Sequence, residues 1–174
     1  MYPELGVPVS CAGILSMIIS LGTILSSLQS DRLTRTLGTG RVTAISVGMT
    51  AAALFGFSIS TQFWMLCLWA IPYGLGAGSV DAALNNYVAL HYKSRHMSWL
   101  HCMWGIGTMV SPMVMGAALT HGMHWTVGYR AIALFQVLLT VALVVSLPLW
   151  KERRTESGTE ETAPQALSLR QVFA

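Results

Sequence analysis

Long stretches without charge constrain this chain more than any other feature. Residues 5–30 carry no charge, residues 42–92 carry only Asp81, and residues 96–129 carry none when histidine is counted as neutral. A membrane-crossing helix needs about 20 mainly apolar residues, and these stretches meet that need several times over. Composition agrees. Apolar residues make up 53% of the chain and charged residues 10%, against about 25% charged in a soluble domain. Five spans are expected, at residues 8–29, 41–60, 62–92, 97–121 and 125–150. Each must be helical, because in lipid only helices and closed barrels satisfy every backbone group. A barrel needs alternating strands of about 10 residues, and these runs are continuous and longer. The expected fold class is therefore an all-α integral membrane bundle occupying residues 1–150. Residues 151–174 turn charged and polar, and a solvated segment is expected there.

Basic residues set the expected orientation, since Lys and Arg in short loops stay in the cytoplasm. Arg32, Arg35 and Arg41 lie between spans one and two, and Lys93 and Arg95 between spans three and four. Lys151, Arg153 and Arg154 follow span five, whereas the seams near Thr61 and at residues 121–124 hold no Lys or Arg. Arg130 is the exception to this alternation. The net charge of +3 therefore reports topology, and nucleic acid is not an expected partner. The partners expected are the lipid bilayer and a small solute, with a multi-pass place in the cell membrane, that of bacteria in the first instance. Met1 falls outside the cytoplasm and no signal peptide precedes span one. An external start with an odd number of spans suggests that a helix precedes this sequence. The renewed apolar character of residues 166–174 suggests that more follows.

Cys11, Cys67 and Cys102 sit in different spans without metal-ligand spacing, and read as small packing residues rather than a disulfide or a metal site. No cofactor motif is present: there is no glycine-rich phosphate loop and no HExxH, and nothing points to an enzyme. In span three, Gly74, Gly78 and Ala82 recur every four residues and offer a smooth stripe for close helix packing. On another side of the same span, Asp81 and Asn85 are expected one turn apart. A carboxylate within a membrane span is costly unless paired, hydrated or protonated, and such residues usually line a path or a bundle interior. Substrate binding or proton coupling is the functional expectation for Asp81 and Asn85, with Asn86 a weaker candidate. A structural Asp bonded to a neighbouring helix is the alternative. In span four, His101, Trp104 and Thr108 share one face. Such a face suits a polar organic solute, because a ring can stack on it while polar groups orient it. Trp99 reads instead as an interfacial anchor, and Gly105, Gly107 and Pro112 as loosening the helix.

Between spans one and two, Asp31, Arg32 and Arg35 are expected in a loop, with Asp31 near the start of the next helix, where negative charge is favoured. This segment resembles the Gly-x-x-x-Asp-Arg/Lys signature between helices two and three of the major facilitator superfamily. Asp31 and Arg32 match its core, while Ser27 and Thr34 stand where the family usually has Gly. The run from Gly74 through Asp81 to Asn85, followed by Leu100, His101, Trp104 and Gly105, resembles the fucose–glucose–galactose:proton symporter branch. The resemblance covers nearly the whole chain, as helices two to six of the N-terminal six-helix bundle plus the start of the central loop. It implies a secondary transporter that works by alternating access, carrying a small polar solute such as a sugar with protons. The missing partners would be helix one and the C-terminal half. It also implies that Asp81 matches an acidic coupling residue on helix four, and that Asp31, Arg32 and Arg35 form a conformational latch. The antiporter signature of the family ends in Gly-Pro, where this chain has Ser111-Pro112. Efflux by proton exchange, and a non-transporting membrane remnant or sensor, remain the alternatives.

Overall fold

The computed structural model describes residues 7, 8 and 10–157, and these form five helices. They are α1 (Cys11–Leu37), α2 (Thr39–Ile59), α3 (Phe63–His91), α4 (Ser94–Thr120) and α5 (Trp125–Ser157). All five are long and apolar enough to cross a membrane, α5 over Trp125–Trp150. Residues 158–174, most of the expected solvated segment, lie outside the described residues.

Two helices overrun the expected spans: α5 continues to Ser157, past the expected end at residue 150, and α1 passes its own end at residue 29. Asp31, Arg32 and Arg35 do not occupy a loop. α1 continues through them to Leu37, and Gly38 alone separates it from α2. The cause is local: between Ser27 and Leu37 there is no Gly or Pro to stop the helix. The hydroxyls of Thr34 and Thr36 bond back to the carbonyls of Ser30 and Arg32, at 2.9 and 3.0 Å. Apolarity ended before helicity did. Gly38 then makes the turn with φ of 85°, a conformation that glycine adopts without cost. Its N–H donates to the Thr34 carbonyl at 2.9 Å. Asp31 thus sits six residues before the end of α1, not at the start of α2, and the basic Arg35 occupies the last turn, where a positive charge suits the helix dipole.

α3 is the hub, packing closely against both α1 and α2, and α2 also packs along α5. The stripe of small residues does what its spacing implies. A Cβ on Gly74 would overlap the carbonyl oxygen of Ile19, and one on Gly78 would overlap that of Thr23. On the other side of α3, a Cβ on Gly76 would come within 2.6 Å of the Ser46 carbonyl oxygen of α2. α3 is therefore squeezed between two backbones, an approach that only glycine permits. Leu54, Phe57, Leu66, Ala70 and Ala133 form the buried core, to which α2, α3 and α5 all contribute. The Phe57 ring lies 5.9 Å from Tyr73 and 5.7 Å from Tyr129 and joins these three helices. The outer faces are apolar and bare: Phe135 is 69% and Val145 72% exposed, as side chains that meet lipid are. α4 meets α3 and α5 only sparsely, and Ala118 is its one buried residue.

Candidate functional site

Asp81 lies a little past the middle of α3, four residues beyond Ala77, which is about 6 Å along the axis. It does not lie on another side from the glycine stripe, because in this continuous helix positions 74, 78, 81 and 85 fall on one face. α1 covers the first part of that face. Thr23 Oγ1 donates to the Gly74 carbonyl at 3.3 Å, Ser27 Oγ to that of Gly78 at 3.2 Å, and Ser30 Oγ to that of Ser79 at 3.4 Å. The Asp81 side chain is exposed.

Asn85 Nδ2 donates to Asp81 Oδ1 at 3.2 Å. Asn85 is half-buried, and its own Oδ1 is buried without a partner. Asn86 is exposed and projects from a different side of the helix. The arrangement offers a carboxylate with one donor already fixed on it and its second oxygen free to take a proton or a hydroxyl hydrogen bond.

Of the four site candidates, the hydrogen bonds join Asp81 and Asn85. His101 and Trp104 are exposed on α4, Trp104 at 66%. Among the described residues no hydrogen bond joins either to Asp81 or Asn85. Thr108 turns its hydroxyl onto the Gly105 carbonyl at 2.7 Å and Ser111 onto that of Gly107 at 3.0 Å. α4 stays helical through Gly105, Gly107 and Pro112. Asp31, Arg32 and Arg35 are exposed on the last turns of α1. The three cysteines are free thiols, and among the described residues no three His, Cys, Asp or Glu side chains come together as metal ligands.

Two features went unread in the sequence. The hydroxyls of Thr23, Ser27 and Ser30 form a ladder on α1, and their i, i+4, i+7 spacing was the available signal. At the far end of α3, Tyr87 stacks on His91 with centroids 4.5 Å apart and lies 5.1 Å from Trp150 of α5. Tyr87, Tyr92, Leu149 and Trp150 line a shallow cavity of about 240 Å³. Gly40 of α2 makes room for the Trp150 indole, which a Cβ there would meet at 2.8 Å. No spacing rule within one helix joins residues on three.

Comparison with known proteins places these features in a family. The profile of the Major Facilitator Superfamily matches residues 1–174. The uncharacterized transporter y4wD of Sinorhizobium fredii is 28% identical over 109 residues, which cover 61% of this chain and 28% of that protein. The glucose/mannose transporter GlcP of Bacillus subtilis is 21% identical over 126 residues, covering 71% of this chain and 31% of GlcP. The chain thus matches less than a third of the length of either relative. No solved structure matches it significantly.

Proposed function

The chain belongs to the Major Facilitator Superfamily, whose members are transporters rather than enzymes, and from that premise we propose that it forms helices two to six of a proton-coupled transporter for a small polar solute. A sugar is the favoured class, supported by the similarity to a glucose/mannose transporter. The mechanism is alternating access, in which two halves rock about a site near the membrane midplane. Asp81 is the coupling residue. His101 and Trp104 line the path on α4, and Asp31, Arg32 and Arg35 latch one conformational state.

One observation carries this reading: the carboxylate of Asp81 is exposed near the middle of a membrane-crossing helix. A charge so placed is costly, and is kept where it meets an aqueous path or exchanges a proton. Desolvation favours the neutral carboxyl and hydration the charged one, so alternate exposure to the two sides of a membrane loads and unloads a proton.

The test uses the full-length transporter in vesicles with radiolabelled glucose. Asp81→Asn keeps the size and hydrogen-bonding capacity of the neutral acid but cannot release a proton. It should abolish accumulation driven by a pH gradient while leaving counterflow, the exchange of labelled for unlabelled glucose, in place. Accumulation at the unmutated level would refute the coupling role. Equal loss of both modes, with reduced folding yield, would assign Asp81 to structure.

A further inference from the structure

We propose that the cavity lined by Tyr87, Tyr92, Leu149 and Trp150 binds the headgroup of an anionic phospholipid, with one acyl chain lying along α5. This lipid site is separate from Asp81 and does not depend on which solute is carried, or on whether any is.

The lining comes from the last turns of α3, its cap and the apolar end of α5. Tyr and Trp combine an apolar body with a polar tip and settle where a membrane meets water. Tyr87 and Trp150 are half-buried, with ring centroids 5.1 Å apart. Among the described residues neither the Tyr87 hydroxyl nor the Trp150 indole N–H has a hydrogen-bond partner, and neither is closed off from outside. Both can donate to a phosphate oxygen.

The charges beside the cavity are all of one sign. Arg41 follows Gly40, the residue against which the Trp150 indole packs. Lys93 follows Tyr92, and Arg95 precedes His96, whose ring lies 5.3 Å from that of Tyr92. All three basic residues are exposed, and among the described residues none forms an ion pair. Basic residues around a pocket between helices at the membrane surface hold anionic headgroups. This is also the end expected in the cytoplasm from its basic residues, where the leaflet is anionic. The rings alone could cage a quaternary ammonium, but the neighbouring cations repel one.

The surface below the cavity favours a lipid over a free anion. Leu138, Val141, Val145 and Leu149 recur at intervals of three and four, so they share one face of α5, and all four are exposed. Eleven residues of helix rise about 16 Å, which is about half of the 30 Å hydrocarbon core. The strip is thus as long as one leaflet is thick, and Leu149 joins it to the cavity. An acyl chain on this strip brings its headgroup to Tyr87, Trp150 and the basic residues.

The experiment is native mass spectrometry of the full-length protein in detergent, titrated with phosphatidylglycerol or with phosphatidylcholine of the same acyl chains. Phosphatidylglycerol should bind about ten-fold more tightly. Arg41→Gln and Lys93→Gln should each weaken it about five-fold, the effect of one basic residue near an anionic lipid. Leu149→Trp fills the cavity and leaves every charge in place. It should weaken phosphatidylglycerol by at least about five-fold while leaving phosphatidylcholine unchanged, and the exposure of Leu149 lets the fold tolerate it. Equal binding of the two lipids, or tighter binding of phosphatidylcholine, would overturn the proposal. Undiminished binding of phosphatidylglycerol to Leu149→Trp would overturn it too, by assigning the preference to surface charge outside the cavity. Displacement of the lipid by an equal concentration of inorganic phosphate would assign the cavity to a free anion and refute the lipid.

Discussion

Gly74→Ala tests whether the close approach of α1 and α3 holds the bundle together. The new Cβ would overlap the Ile19 carbonyl oxygen, a helical backbone atom that cannot rotate aside. Relief requires the two helices to part by about 1 Å, and a gap of that order forfeits a quarter to a half of each dispersion contact across it. The three interhelical bonds from Thr23, Ser27 and Ser30 already measure 3.3, 3.2 and 3.4 Å. Stretching them further ends them. At about 0.6 kcal/mol each in a membrane, they contribute about 2 kcal/mol, and lost packing adds about 1 kcal/mol. Alanine returns at most about 1 kcal/mol of helix propensity. The net loss is about 2 kcal/mol, or roughly thirty-fold in the unfolding equilibrium. Gly105→Ala is the control, because nothing lies within 4 Å of the Cβ it would add. It should be neutral or slightly stabilising. The assay is denaturation of the purified full-length protein in mixed micelles, followed by circular dichroism. Equal stability of Gly74→Ala and Gly105→Ala would refute the reasoning.

Two further outcomes follow from the ends of the helices. With Cys11, Cys67 and Cys102 replaced, single cysteines at Thr61 and Gly122 should react with an impermeant thiol reagent on intact cells, and those at Arg35 and Lys93 should not; labelling at Lys93→Cys without labelling at Gly122→Cys would reverse the orientation. Asp31→Asn removes a negative charge from near the C-terminal end of α1 and should alter the rate of glucose transport more than its affinity, since it biases a conformational equilibrium rather than a contact with the solute; unchanged turnover in the full-length protein would show that Asp31 latches nothing.

The helices were legible because each rests on a local property, a run of apolar residues longer than a bilayer is thick. The packing of α1 on α3 was half legible. The spacing of Gly74 and Gly78 announced a smooth face, but which helix fills it depends on contacts between residues about 50 apart, and Thr23 and Ser27 carry no sign of their partners. The end of α1 was misread because the charge at Asp31 marks where the chain leaves lipid, and a helix does not need to stop there. The Asp81–Asn85 pair was legible as an i, i+4 spacing. The sparse packing of the helix that carries His101 and Trp104 against α3 was not, since a helical face says which residues share a side and nothing about how near the next helix comes.

The stretch of α3 that draws α1 in leads directly into the polar pair. From Gly74 to Gly78 the stripe has no side chains, so the backbones meet and hydroxyls on α1 can reach carbonyls on α3. Three residues later the stripe carries a carboxylate, and seven residues later an amide. These side chains fill the space that glycine leaves empty, and a charge is costly against an apolar helix without a partner. Asp81 is accordingly exposed, with the Asn85 amide bonded to it. Along one helical face of α3, close backbone packing thus gives way to an exposed acid. Alanine at position 81 would change both volume and charge, so loss of transport in that variant would not separate the two effects, whereas the near-isosteric Asp81→Asn changes only the ability to release a proton.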